Sequence, residues 1–263
     1  MEHTKKYGKP PFKVALIHGG PGAAGEMAPV AKELASVCGV LEPFQTVKSI
    51  EGQLLELKSV LEKEGFLPVV LVGFSWGAWL SYLFAATYPS FVKKLILVGS
   101  GPFEEKYTKT TMPTRLDRLD EEEKAKVAAL LTSLKDPDTK NKNSVFENVG
   151  KLLSKAEAFD PLADDAPTLI VRYDIYEPVW QQARQLRASG ELLQFGKRIQ
   201  CPVIAIHGDH DPHDPKGVEE PLSCTLAQFR FILLNDCGHC PWMERKAKEQ
   251  FYQILKQEIR SAV

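Results

Sequence analysis

The sequence predicts an α/β fold: a mostly parallel sheet covered by helices on both faces, with a helical cap inserted into it. Three observations predict it. Short apolar runs rich in β-branched residues alternate with stretches of helical period, first through residues 14–98 and again from 203 onward. One of these runs, residues 69–79 (VVLVGFSWGAW), stops at a serine and passes at once into a second apolar run. Between residues 103 and 194 the alternation lapses, and the chain is charged and helical in period without strand runs.

Taken in order, residues 14–17 (VALI) form a short buried strand, and His18-Gly19-Gly20-Pro21-Gly22 is the loop leaving it. Residues 27–36 have helical spacing, and 38–44 read as a weaker strand. Residues 49–64 are amphipathic, with Ile50, Leu54, Leu57 and Leu61 on one stripe. The strand 69–72 follows, then the serine turn and a helix that stops near Pro89. Residues 95–98 form another strand, closed by Gly99-Ser100-Gly101-Pro102. In the charged block, Asp120 followed by three glutamates starts a helix with acidic residues at its positive end. Asp136-Pro137-Asp138 and Asp160-Pro161 mark breaks, and 177–193 is a further helix. Alternation resumes with the strand 203–206, a loop rich in Asp and His, the strand 229–234 and a final helix over 246–260. The chain thus divides into a core, residues 1–102 and 195–263, and a cap insertion, residues 103–194.

Composition narrows the function. Of the 263 residues, 44% are hydrophobic and 25% charged, the balance of a soluble globular protein with a sizeable core. A net charge of −1 with mixed signs argues against a nucleic-acid or polybasic membrane role. Residues 65–92 carry no charge and are long enough to suggest a membrane span, but Pro68, Gly73, Ser75, Gly77 and Ser81 interrupt them. A buried central strand followed by a packed helix gives the same pattern. The five cysteines, Cys38, Cys201, Cys224, Cys237 and Cys240, have no framework spacing and read as reduced thiols of a cytoplasmic protein. The start, MEHTKKYGKPPFK, does not have the form of a signal peptide.

The serine turn carries chemistry. Gly73-Phe74-Ser75-Trp76-Gly77 is a G-x-S-x-G arrangement between a strand and a helix, where the glycines clear room around a sharp turn. Acyl transfer needs a nucleophile, a base, a group orienting the base and donors for the developing oxyanion. Ser75 is the candidate nucleophile. His239, in the run DCGHCPW after the last strand, is the candidate base, and Asp211, in HGDHDP after the preceding strand, the candidate acid. Their order, Ser then Asp then His, is the one this type of turn leads one to expect. The backbone N–H groups of Gly20 and Trp76 are the candidate oxyanion donors.

These motifs, His18–Gly22, Gly73–Gly77, Gly208–Asp211 and Gly238-His239, resemble those of the α/β-hydrolase superfamily in kind and order. The resemblance spans residue 14 to the C-terminus outside the cap. The HGGPG loop and Ser-Trp-Gly turn are similar to those of proline iminopeptidases. The resemblance implies an α/β-hydrolase fold and a serine hydrolase acting on a small-molecule ester or amide, without cofactor, as a monomer or homodimer. Three departures qualify it. Phe74 stands where an iminopeptidase usually has glycine; Glu177 or Glu191 would have to hold a substrate amine; and residues 44–51 lack the family's usual Asp-x-x-Gly-x-Gly run. The polar, proline-containing start offers no hairpin ahead of the HisGly loop, so the expected sheet has about six strands.

Alternatives stand beside each assignment. The Gly-x-x-Asp register of the superfamily favours Asp211, and Asp209 then makes turn hydrogen bonds. His18 braces the oxyanion loop. His207, Asp209, His210, Asp211, His213 and Asp214 are all possible metal ligands, but they lack paired spacing, and Cys237–Cys240 has no second pair, so no metal is expected. Tyr173, Tyr176 and Trp180 either line a substrate pocket or dock the cap. A carbon–carbon or thioester bond as target, or a binding protein that keeps the triad without turnover, would suit the same fold.

Overall fold

The computed structural model describes residues 4–162 and 170–262. Its strands are β1 (Thr4–Tyr7), β2 (Phe12–Ile17), β3 (Ala23–Ala24), β4 (Gly39–Pro43), β5 (Val69–Phe74), β6 (Val92–Val98), β7 (Ile170–Val171), β8 (Val203–Gly208) and β9 (Phe229–Leu234). Before the cap lie helices α1 (Ala28–Leu34), α2 (Ile50–Glu64) and α3 (Trp76–Thr87). Between β6 and β8 come α4 (Thr111–Asp117), α5 (Glu121–Lys135), α6 (Lys142–Glu157), α7 (Tyr173–Ala188) and α8 (Glu191–Gln194). After β8 follow α9 (Lys216–Thr225) and α10 (Lys248–Arg260).

Seven strands make one sheet in the order β1-β4-β2-β5-β6-β8-β9, parallel throughout except for β1 against β4. Alternation along the strands sorts side chains into two apolar layers. Ala15, Ile17, Leu71, Leu95, Leu97 and Ala205 face α2, α3 and α7. Val14, Leu16, Val70, Val72, Ile96 and Ile204 face α1 and α10. No helix of the described residues is long and apolar enough to cross a membrane; the uncharged stretch is divided between β5 and α3.

The sheet has one strand more than expected. Thr4–Tyr7 pairs with β4 in the register Thr4↔Pro43 to Tyr7↔Val40. It is an edge strand whose Lys5 and Lys6 are exposed, and such charges blunt an edge against further pairing, so hydropathy passes over it. Its Tyr7 hydroxyl donates to the buried Glu42 carboxylate at 2.8 Å. β6 likewise starts earlier than its apolar run. Lys94 is buried within it, donating to the Glu258 carboxylate at 3.0 Å and the Ser261 hydroxyl at 2.7 Å on the last turn of α10 and beyond. The single helix expected over 177–193 is instead α7 and α8, separated at Gly190 by a left-handed φ of +79°.

Candidate active site

Ser75 sits between β5 and α3 with φ +52° and ψ −116°, a conformation that a non-glycine residue holds only when its surroundings enforce it. Its N–H donates to the Val98 carbonyl at 2.9 Å, fixing it at the carboxyl ends of β5 and β6. A Cβ on Gly73 would lie 2.1 Å from the Gly77 carbonyl oxygen, which bears out a glycine requirement there. A Cβ on Gly77 would lie 2.2 Å from the Ile17 carbonyl oxygen. The second glycine therefore clears the end of β2 rather than the strand that carries the serine. The Ser75 hydroxyl makes no hydrogen bond among the described residues and is half-buried.

Asp211 and His239 meet. Asp211 Oδ2 lies 2.6 Å from His239 Nδ1, with the Asp211 side chain fully buried. The other carboxylate oxygen accepts the His213 backbone N–H at 2.9 Å and faces His213 Nδ1 at 2.8 Å. Burial alone would raise the Asp211 pKa, but the histidines at 239, 213 and 207 hold it well below the usual carboxylate range. For His239, burial favours the neutral ring. The Asp211 charge, the Glu157 charge and the Asp211 hydrogen bond outweigh it and bring the pKa up to about 9. Asp209 lies elsewhere: it is exposed, and its carboxylate accepts the Cys237 N–H at 3.1 Å.

Donor atoms of Asp211, His213 and His239 lie within 4.8 Å of one another, the distance range of a metal cluster. Both rings, however, turn Nδ1 to the shared carboxylate, and the Arg115 guanidinium stands 3.4 Å from His213 Nε2. That cation repels a second one, so the group reads as a hydrogen-bonded network.

The loop after β2 is held from three sides. The Gly19 N–H donates to Glu26 at 2.8 Å, and the Gly19 carbonyl faces His18 Nδ1 at 2.7 Å. His18 is fully buried, and burial lowers its pKa to about 4, so the ring is neutral. Its Nε2 accepts the Gln45 backbone N–H at 3.3 Å, so Nδ1 carries the proton. The Gln45 side chain donates to the His18 carbonyl at 3.0 Å and accepts the Trp76 indole N–H at 2.8 Å. One glutamine thus links the loop to the first residue of α3. Neither the Gly20 nor the Trp76 backbone N–H has an acceptor among the described residues.

Phe74 fills the space beneath His239. Its ring lies 4.8 Å from the His239 ring and 4.6 Å from Trp242. A Cβ on Gly19 would come within 2.9 Å of it, and one on Gly99 within 3.1 Å. The departure from the iminopeptidase pattern is therefore accommodated by two glycines on neighbouring loops.

Two residues of the segment between β6 and β8, Arg115 and Glu157, also join this network. The His239 N–H donates to the Glu157 carbonyl at 3.0 Å, and the Glu157 carboxylate is paired with Arg115. Glu26 also faces His239, and burial lifts its carboxyl to about 7. By contrast, Glu177 and Glu191, considered for a substrate amine, are exposed; Glu177 meets the Tyr173 hydroxyl at 3.4 Å. The aromatic residues form a ladder: Trp180 stacks on Trp79 of α3 at 5.7 Å, Tyr176 on Trp180 at 6.1 Å, and Tyr173 on Tyr176 at 6.1 Å. Phe146 covers Tyr176 at 4.2 Å. Glu26, Gln45, Arg115 and Glu157 had no motif to announce them, since each acts through a fold contact distant in sequence.

Comparison with known proteins agrees with the fold. A family model described as alpha/beta hydrolase fold matches residues 53–246. A proline iminopeptidase of Lactobacillus helveticus (strain DPC 4571) is 25% identical over 95% of this chain and 89% of its own. A 2-hydroxy-6-oxononadienedioate/2-hydroxy-6-oxononatrienedioate hydrolase of Paraburkholderia phymatum is 27% identical over 76% of this chain and 65% of its own. Among solved structures, VinJ superposes with a TM-score of 0.66 at 15% identity, over 99% of this chain and 95% of its own. With its parallel sheet, its strained serine turn and a match over most of its length, the chain belongs to the α/β-hydrolase fold family.

Proposed function

We propose that this protein is a serine hydrolase that cleaves a small-molecule ester or amide through an acyl-enzyme on Ser75. The observation that carries the reading is the 2.6 Å contact of Asp211 with His239 Nδ1, made on a loop neighbouring the strained Ser75 turn. Nδ1 being engaged, Nε2 of His239 is the nitrogen free to take the Ser75 proton. The Ser75 oxygen then bonds to the substrate carbonyl carbon. The carbonyl oxygen becomes an oxyanion facing the N–H groups of Gly20 and Trp76, which have no other acceptor. Collapse breaks the bond to the leaving group, which departs with the proton from His239. Water repeats the sequence on the acyl-enzyme and returns Ser75. No metal or organic cofactor enters these steps.

A second reading narrows the substrate to one with a free amine, as for an aminopeptidase of iminopeptidase type. Glu26, whose carboxylate faces His239, favours it, and so does similarity to an iminopeptidase along 95% of the chain. The aromatic ladder serves the cap's attachment in this reading, because its rings cover one another and Trp180 stacks on the core. The test of the general reading is mass spectrometry after exposure to a fluorophosphonate. A single adduct on Ser75, lost in Ser75→Ala, supports the acyl-enzyme. A folded protein without an adduct moves the reading to a binding protein. Turnover of proline arylamide, lowered in Glu26→Gln far more than turnover of a plain acetyl ester, supports the narrower one.

A further inference from the structure

Asp211 is shared by two imidazoles. Oδ2 faces His239 Nδ1, and Oδ1 faces both the backbone N–H and the Nδ1 of His213; the two rings are 4.9 Å apart. On the far side of His213, Arg115 Nη2 lies 3.4 Å from Nε2. A guanidinium can only donate, so Nε2 must be the bare nitrogen and Nδ1 must carry the proton toward Asp211. Arg115 belongs to α4 and is held by the Glu157 carboxylate of α6, whose backbone carbonyl accepts the His239 N–H. The cap therefore grips both partners of Asp211, one through a side-chain relay and one through a carbonyl.

We infer that Arg115 is a positioning residue that acts through His213 on the Asp211–His239 pair, fixing the His213 tautomer and with it the orientation and charge of the carboxylate. The inference rests on the serine-hydrolase reading for its catalytic meaning, but the relay itself is a property of the buried network. Burial and the Arg115 charge keep His213 below its ordinary pKa despite the nearby Asp211, which agrees with a neutral ring that donates once. The groups facing the pair are His207 from β8, at 3.6 Å from Asp211 Oδ2, Arg115 from α4, Arg118 just beyond it and Glu157 from α6. Glu26, ahead of α1, Cys240, beside His239, and Glu244 complete the set. Arg115 and Arg118 are the fixed cations in this set, and among the described residues Arg115 alone bridges the cap to a ring on Asp211.

The test compares wild type, Arg115→Met, Arg115→Lys, His213→Phe and the double variant Arg115→Met with His213→Phe. Two readouts are taken on the full chain: the pH profile of kcat/KM on p-nitrophenyl butyrate, and the titration of His239 by NMR on histidine-labelled protein. Removing the cation is expected to move the acid limb and the His239 titration upward by about one pH unit, which is about tenfold in kcat/KM at pH 7 with the high-pH plateau retained. Arg115→Lys, which keeps the charge, is expected to return about half of the shift. In the His213→Phe background the same Arg115→Met change should move the limb less than about a third as far, the non-additivity of residues acting in series. An unmoved limb and titration in Arg115→Met, or an equal shift in both backgrounds, overturns the relay. A uniform loss at every pH with no shift also overturns it, since that is what a merely structural contact gives. Should wild type take no fluorophosphonate on Ser75, the hydrolase reading falls, and the NMR titration still decides the relay.

Discussion

The sheet core and the cap seam are held together by different physics. In the core nearly every residue of α3 is buried, and both faces of the central strands are apolar. Such packing is non-directional and tolerates small shifts. At the seam near His239 the cap has only a small apolar cluster of its own, around Leu119, Val127 and Ala156. There it is tied down by directional polar contacts, whereas α7 packs into the apolar layer over α2 and α3. One Nη of Arg118 donates to the Ala156 carbonyl at 3.0 Å and to the His210 carbonyl at 2.8 Å. The buried Glu244 accepts the N–H groups of Phe159, Asp160 and Gly238 at 2.8 to 3.0 Å. A Cβ on Gly238 would come within 2.4 Å of that carboxylate and 2.2 Å of the Glu157 carbonyl. The core thus supplies stability and the seam supplies geometry: hydrogen bonds that fix angles lie where the candidate acid and base lie.

The largest effect is expected where the two regions meet: Ser75→Ala should lower turnover by about 10⁶ with the melting temperature unmoved, read by kinetics and calorimetry side by side. Next, Leu71→Ala in β5 should destabilise the whole fold by about 2–5 kcal/mol, measured by urea unfolding; a smaller loss would mean the core relaxes around the cavity. The pH dependence of wild type comes third. With the His239 pKa near 9, kcat/KM should climb about tenfold per unit from pH 7 toward 9. The stability contribution runs the opposite way. A folded pKa raised above the ordinary 6.5 stabilises fully below 6.5 and is lost as pH rises through about 9. Activity and thermal stability should therefore diverge over that window, and parallel curves would count against a charged Asp211–His239 pair. Fourth, Arg118→Met leaves two carbonyls without their donor and should cost about 1–3 kcal/mol. Hydrogen exchange should then quicken in α4–α6 and not in β5; a global change would erase the distinction between seam and core. Smallest, Lys124→Ala on exposed α5, which breaks an ion pair with Glu121, should leave the melting curve essentially unmoved.

What the sequence discloses follows the same division. The apolar runs at 69–72 and 203–206 and the glycines flanking Ser75 are local signals, and the strands, the sharp turn and its burial on two sides could be read from them. β1 escaped because an edge strand with Lys5 and Lys6 in solvent carries no hydropathy signal. Lys94 concealed the first residues of β6 because its partners, Glu258 and Ser261, lie 164 and 167 residues away. Gln45 had no motif, and its role beneath His18 and Trp76 appears only once β4 is laid beside β2. His213 was visible as a donor next to Asp211, but the spacing Asp-Pro-His alone fits a metal ligand as well as a second imidazole on one carboxylate. Arg115, placed against that imidazole, favours the second, and it comes from a helix about a hundred residues earlier in the chain.

The position of the cap in the chain has a consequence for how the fold can vary. Residues 99–202, which include the proposed cap at 103–194, lie between β6 and β8, neighbours in the sheet, so the whole excursion is one loop closed by that pairing. The entropy of closing a loop grows only with the logarithm of its length, so halving or doubling this excursion alters the closure term by about 0.6 kcal/mol. Polymer statistics therefore leave cap length almost free. What is not free is the handful of polar anchors, because any replacement segment must again present a cation to His213 and a carbonyl to His239. The molecule is thus a sheet into which a different roof can be grafted, provided the new roof carries the same two fastenings.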